Sequence, residues 1–132
     1  MKLALLIDDD PIANMINERV VKKSGAADQI AVCKSARSGL EFLTVQMQTG
    51  QPGPEIILLD INMPVMDGFG FLDELNNFPS DFAGHIKVAM LTSSLDESDK
   101  TRSSQYKNVV DFINKPLNEA KIRELTEKLA TT

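Results

Sequence analysis

The chain has 132 residues, a length that suits one domain, and its 42% hydrophobic and 25% charged content excludes wholesale disorder, collagen-like repeats and a coiled coil. The net charge of -5 argues against a nucleic-acid module, which carries a basic footprint. No apolar run nears the roughly 20 residues of a membrane span and no signal peptide is visible; the single cysteine excludes an internal disulfide and suits a reducing compartment, so a cytoplasmic protein without nucleic-acid or membrane partners is expected.

The first strand is expected at Leu3–Ile7, ahead of Asp8, Asp9 and Asp10. Asp10 reads as a helix N-cap, with Pro11 in the first turn. Ile12, Ile16 and Val20 then recur at i, i+4, i+8, one apolar helix face, and Gly25 ends the helix. A second strand, Gln29–Cys33, leads to a helix capped by Ser35 that carries Leu40, Leu43 and Met47 and stops at Gly50. The third strand, 55–59, is continuously apolar through Ile56-Ile57-Leu58-Leu59, the mark of a strand covered on both faces. Asp60 closes it, followed by Ile61-Asn62-Met63-Pro64. A third helix follows Asp67-Gly68, carries Phe69, Leu72 and Leu75, and stops before Pro79. The fourth strand, 86–91, precedes Thr92, Ser93 and Ser94. The fourth helix, 96–104, is polar almost throughout and reads as weak and mobile. The fifth strand, Val109–Asn114, ends at Lys115-Pro116, and the fifth helix, capped by Asn118, carries Ile122, Leu125 and Leu129.

Five strand–helix repeats imply an α/β fold with a parallel sheet and helices on both faces. Right-handed crossovers leave few topologies; the expected one is a doubly wound, three-layer sheet of order 2-1-3-4-5. No internal repeat, linker or second domain is apparent, so one domain over 1–132 is expected, with no output domain.

In such a sheet, ligands sit outside the carboxyl ends of the strands. Asp8, Asp9, Asp60, Thr92 and Lys115 all fall there. Crowded carboxylates repel and raise one another's pKa unless a cation is present. Oxygen-only ligands suit a hard divalent ion, and few of them suit Mg2+ better than calcium. Three carboxylates, one Mg2+ and Lys115 sum to zero charge, a balance that admits a phosphoryl group. Transfer of that group to a carboxylate relies on positioning and neutralisation, and Asp60 is the natural nucleophile.

These residues resemble the receiver domain of two-component response regulators across nearly the whole chain. The resemblance rests on Leu6-Ile7-Asp8-Asp9-Asp10-Pro11, Leu59-Asp60-Ile61-Asn62-Met63-Pro64-Val65-Met66-Asp67-Gly68, Met90-Leu91-Thr92-Ser93 and Phe112-Ile113-Asn114-Lys115-Pro116, in this order and spacing. The chain looks most like single-domain members such as the chemotaxis regulator. The resemblance implies a flavodoxin-like fold and the role of a phosphoacceptor signalling protein rather than an enzyme, with slow self-dephosphorylation. It implies that Asp60 takes phosphate from a histidine kinase or phosphotransfer protein. Asp8, Asp9, Asp60 and the Asn62 backbone carbonyl are then the Mg2+ ligands, Asp9 directly and Asp8 through water. Thr92 and Lys115 engage the phosphoryl group, Phe112 is the switch aromatic, and the Lys115–Pro116 bond is often cis. A downstream protein target is implied but not named, and a homodimer through the fourth helix, fifth strand and fifth helix is a further expectation.

Several features depart from the family. Asn108-Val109 stands where Gly-Ala is frequent, and Asn is expected to adopt the left-handed conformation there. Segments 49–54 and 76–84 are longer than usual and rich in Gly and Pro. Asn62 and Ser94 resemble positions that tune dephosphorylation. Other residues read plainly: Cys33 as a buried small hydrophobe, His85 as surface, Met63 and Met66 as space-fillers. A haloacid-dehalogenase-like phosphatase and a flavodoxin-like flavin binder are the alternatives. The first places its nucleophile after the first strand at the head of a DxD motif, whereas here the acidic pair comes first and the acceptor reads Asp60-Ile61-Asn62, without the general-acid Asp. The second needs a Ser/Thr/Gly-rich phosphate loop after the first strand, where Asp8-Asp9-Asp10 would repel a phosphate.

Overall fold

The computed structural model describes residues 2–94 and 96–131. In chain order it comprises β1 (Leu3–Ile7), α1 (Pro11–Ser24), β2 (Gln29–Cys33), α2 (Ala36–Gln48), β3 (Ile56–Asp60) and α3 (Gly68–Leu75). There follow α4 (Ser80–Ala83), β4 (Lys87–Thr92), α5 (Glu97–Ser103), β5 (Val109–Asn114) and α6 (Glu119–Thr131). All strands pair in parallel in the order β2-β1-β3-β4-β5, as expected. Among the described residues, no helix is long and apolar enough to cross a membrane.

Side chains alternate across each strand, so each strand feeds two cores. On one face Leu5, Ile7, Ile57, Leu59, Val88 and Met90 meet Leu43 of α2 and Phe69, Phe71, Leu72 and Leu75 of α3. On the other, Ala4, Leu6, Ile56, Leu58, Ala89 and Leu91 meet Val21 of α1 and Ile122 and Leu125 of α6. β3 is buried along its whole length, which is why its apolar run is unbroken.

The caps fall where the side chains predict. Asp10 accepts from the Ile12 N–H at 2.9 Å, Ser35 and Ser38 form a reciprocal capping box, and Asn118 accepts from the Lys121 N–H at 2.9 Å. Gly25 ends α1 at φ 69°, and Gly50 lies just past α2 at φ 74°.

The apolar face expected on α1 is not the buried one. Ile12 is 62% and Ile16 41% exposed, while Asn14, Asn17 and Val21 face the sheet. The cap at Asp10 and the proline after it set the helical phase, and that phase turns the i, i+4 stripe outward. Only Val20 of the expected set packs against the core.

Two further differences concern the longer segments. Residues 76–84 include the short α4, where Phe78 and Phe82 stack at 5.9 Å and Ala83 is buried. Asn108 is not left-handed, since Val65 is the positive-φ residue other than glycine among those described. It is buried instead, and its amide donates to the carbonyls of Ala83 and Ile86 at 3.0 and 2.8 Å. A side-chain donor therefore ties α4 to the entrance of β5, which a glycine cannot do.

The polar fourth helix of the sequence is α5. Asp96 caps it, accepting from the Ser98 N–H at 2.9 Å. The Arg102 guanidinium lies 4.1 Å from the Phe69 ring centre, a cation–π contact to α3. Tyr106, just beyond, stacks on Phe69 and donates to Asp73 at 2.7 Å.

Gly68 sets how closely α3 approaches the end of β3. A Cβ there would stand 2.7 Å from the Asp60 carbonyl oxygen and 3.0 Å from Ile61 Cα, both backbone atoms. Gly68→Ala is therefore expected to lower stability by about 1–3 kcal/mol, the range for overpacking, despite alanine's higher helix propensity, measured as a lowered urea midpoint.

Candidate functional site

The register of the sheet assembles the site. Ile7 pairs with Leu59, so the next residues, Asp8 and Asp60, stand level at adjacent strand ends. Asp60 pairs with Leu91, one residue before Thr92, and Thr92 pairs with Asn114, one residue before Lys115. The Lys115 N–H donates to the Thr92 carbonyl at 2.7 Å, and the Lys115–Pro116 bond is cis. Asp60 and Thr92 are the last residues of their strands, one position further than sequence periodicity marks the strand ends.

Lys115 Nζ bridges the carboxylates. It lies 2.7 Å from Asp8 Oδ2 and 3.1 Å from Asp60 Oδ1. Asp8, Asp9 and Asp60 each offer an oxygen within 4.8 Å of the other two. Asp8 and Asp60 are buried, whereas Asp9 is exposed and opens the group to solvent. Asp8 is held at every polar atom. Its N–H donates to the Cys33 carbonyl at 3.2 Å, and its carbonyl accepts from Asn14 Nδ2 at 2.8 Å. Oδ1 accepts from the Asp10 N–H at 2.9 Å, and Oδ2 takes the Lys115 ammonium.

Burial raises the Asp60 carboxyl above the usual carboxylate range, helped by the charges of Asp8 and, more weakly, Asp9; Lys115 opposes the rise without cancelling it. Burial pulls the Lys115 ammonium down, but the hydrogen bond to Asp8 and the charges of Asp60 and Asp8 outweigh it, so its pKa is raised. Three carboxylates against one ammonium leave two negative charges. A donor set made only of oxygens, with a deficit of two positive charges and a solvent-facing side, fits a hard divalent cation such as Mg2+. Both Asp8 oxygens are already engaged, by the Asp10 N–H and by Lys115.

The remaining expected residues lie around this group. Thr92 is fully buried, and its Oγ1 accepts from the Ser94 N–H at 3.0 Å. Asn62 is exposed in the loop leaving Asp60. Phe112 is half-buried on β5, pairs with Met90 and packs against the α2–α3 core; it is not part of the acidic group. Met63 and Met66 pack in the same core, His85 is exposed, and burial raises the half-buried Cys33 thiol against a smaller opposing hydrogen bond with Ser38.

Sequence reasoning missed two features here. Val65, fully exposed in the loop between Asp60 and α3, has φ 71°, a conformation rare for a β-branched side chain. Asn14 reaches the Asp8 carbonyl from the buried face of α1, and because Asn17 is buried on that face as well, apolar periodicity carries no signal that marks it.

The raised Asp60 pKa carries a pH dependence. The fold prefers the protonated acid, so stability present at low pH is lost as pH rises from the unfolded carboxylate value, about 3.9, through the raised folded value. Asp60→Asn removes that loss. The metal-free variant is expected to melt at a higher temperature than the parent at pH 7, with the gap closing below about pH 3.

Comparison with known proteins agrees with this geometry. Residues 4–127 match the response regulator receiver domain. The chain is 26% identical over 128 residues to the probable methanogenesis regulatory protein FilR2 of Methanothrix harundinacea, covering 96% of this chain and 80% of that protein. It is 30% identical over 99 residues to response regulator Rcp1 of Synechocystis, covering 74% of this chain and 66% of Rcp1. A two-component response regulator structure from Cytophaga hutchinsonii superposes with a TM-score of 0.91 at 27% identity, over 100% of this chain and 98% of the other. A parallel sheet of this order, with an acidic group at its carboxyl edge and a sequence matched from residue 4 to residue 127, makes the chain a member of the receiver-domain family of two-component response regulators.

Proposed function

We propose that this receiver domain accepts a phosphoryl group on Asp60, in a Mg2+-dependent transfer from the phosphohistidine of a histidine kinase or phosphotransfer protein. The observation that carries the reading is Lys115 Nζ within 3.1 Å of both Asp8 and Asp60, inside a trio of carboxylates with a net deficit of positive charge. Asp9, Asp60 and the Asn62 carbonyl would hold a Mg2+ ion there, with Asp8 reaching it through water, and the ion would supply positive charge that offsets the three acids as a phosphoryl group approaches.

The chain's own residues do the rest. The Asp60 carboxylate attacks phosphorus as the P–N bond to the donor imidazole breaks, and an acyl phosphate forms on Asp60. The imidazole leaves with its electron pair and takes a proton. Lys115 pairs with one phosphoryl oxygen, and the Thr92 hydroxyl, whose oxygen now accepts from Ser94 N–H, donates its proton to another. Inward movement of Thr92 vacates space along β4, into which Phe112 on β5 turns. The surface of α5, β5 and α6 changes, and a downstream protein or a second copy of the chain reads it. A few kcal/mol of bias suffices for such a two-state surface. The acyl phosphate is then lost by slow hydrolysis.

The donor is proposed to dock on α1. Ile12, Met15 and Ile16 are 62%, 51% and 41% exposed and begin just past Asp9. The phosphatase alternative has no support in the geometry. It needs the nucleophile directly after the first strand, and there both Asp8 oxygens are committed to the Asp10 N–H and to Lys115.

Two outcomes check the reading. Asp60→Asn is expected to abolish uptake of phosphate from acetyl phosphate in the presence of Mg2+, followed by intact mass; a variant that still gains one phosphate under those conditions refutes Asp60 as acceptor. Ile16→Glu is expected to slow transfer from a phosphorylated protein donor by about tenfold or more, given the roughly 1.5–3 kcal/mol of burying such a side chain, while leaving uptake from acetyl phosphate unchanged.

A further inference from the structure

Asn14 occupies a place where an inward-facing helix position calls for an apolar side chain. It is buried against the sheet under the turn that carries the acidic pair. Its Nδ2 donates to the Asp8 carbonyl at 2.8 Å and, more weakly, to the Cys33 carbonyl at 3.4 Å. The Asp8 N–H donates to the same Cys33 carbonyl at 3.2 Å. One carboxamide thus ties the ends of β1 and β2 together.

The Asp8 carbonyl belongs to the peptide plane that leads into Asp9. Asp9 is exposed, so packing does not set its direction; the peptide before it does. Meanwhile Asn14 Oδ1 is buried and has no hydrogen-bond partner among the described residues. A buried acceptor without a partner lowers stability. The side chain therefore weakens the core through its oxygen and contributes through its donor, and both acceptors of that donor lie at the site. Asn17, buried on the same face one turn later, makes no side-chain hydrogen bond to either strand end among the described residues.

We propose that Asn14 is a positioning residue for the cation site. It does not touch the ion; its amide fixes the peptide joining Asp8 to Asp9 and so aims the Asp9 carboxylate. The proposal rests on the reading of Asp8, Asp9 and Asp60 as a Mg2+ site. Groups that orient metal ligands typically change affinity by about 10–100-fold when removed.

The test is calorimetric titration of MgCl2 into the full chain, its Asn14→Leu variant and its Asn17→Leu variant, with thermal melts of each without metal. Asn14→Leu is expected to raise the Mg2+ dissociation constant about tenfold or more without a matching fall in melting temperature, because it also removes the orphaned oxygen. Asn17→Leu is expected to leave Mg2+ affinity unchanged. If the parent chain takes up no Mg2+, the metal-site reading itself fails. If the parent binds and Asn14→Leu binds equally well, the positioning role fails alone. An equal loss in both variants points to general loosening of α1 and also overturns it. Should Asn14→Leu not fold, 15N-labelled parent protein decides: the Asn14 side-chain amide is expected to resist solvent exchange and to shift on addition of Mg2+. Free exchange, or no movement at saturation, overturns the proposal.

Discussion

The repulsion among three carboxylates at one sheet edge is the constraint around which the rest of the molecule is arranged. The fold brings Asp8 and Asp60 level on neighbouring strands and buries both. Left alone, their like charges would push the strand ends apart. A single ammonium, delivered from the far side of β4 by Lys115, sits between them. Its backbone is pinned to Thr92, which fixes where the side chain starts. The balance remains incomplete, which is why burial still lifts Asp60 and why the site is suited to a further positive charge.

The surrounding structure makes that arrangement rigid from several directions. Gly68 brings α3 against the Asp60 backbone with no room for a side chain. Asp10 holds an Asp8 oxygen with its N–H while its own carboxylate caps α1, so the acidic pair and the helix after it share one turn. Both cores press on β3, whose five residues are all buried. A strand with no exposed face has little freedom to shift, so the residue at its end is set by packing rather than by local hydrogen bonds alone.

Much of this is legible in the sequence. The continuous apolar run of β3 declares a strand buried on both sides, and the alternation of strands and helices leaves the parallel order almost forced. Asp8, Asp9, Asp60, Thr92 and Lys115 are separable from ordinary surface residues because each follows a strand at the same edge. What escaped notice has physical reasons. Periodicity favours Ile12 and Ile16 as the inward face of α1, but two polar residues, Asn14 and Asn17, are the ones buried there. The helix in 76–84 is only four residues long, too short for a periodic signal. The residue type of Asn108 suggests a backbone role, whereas its side chain hydrogen-bonds carbonyls that come near only after folding.

The two long segments, 49–54 and 76–84, precede β3 and β4 and so lie at the amino end of the sheet, opposite the acids. Asn108 and the Phe78–Phe82 pair bind the second of them into the body of the domain. The acidic group and these two segments thereby lie at opposite ends of the sheet. A fluorophore or affinity handle grafted at the exposed Gln51 reports on the domain from a distance, leaving the acidic edge and the exposed residues of α1 unobstructed.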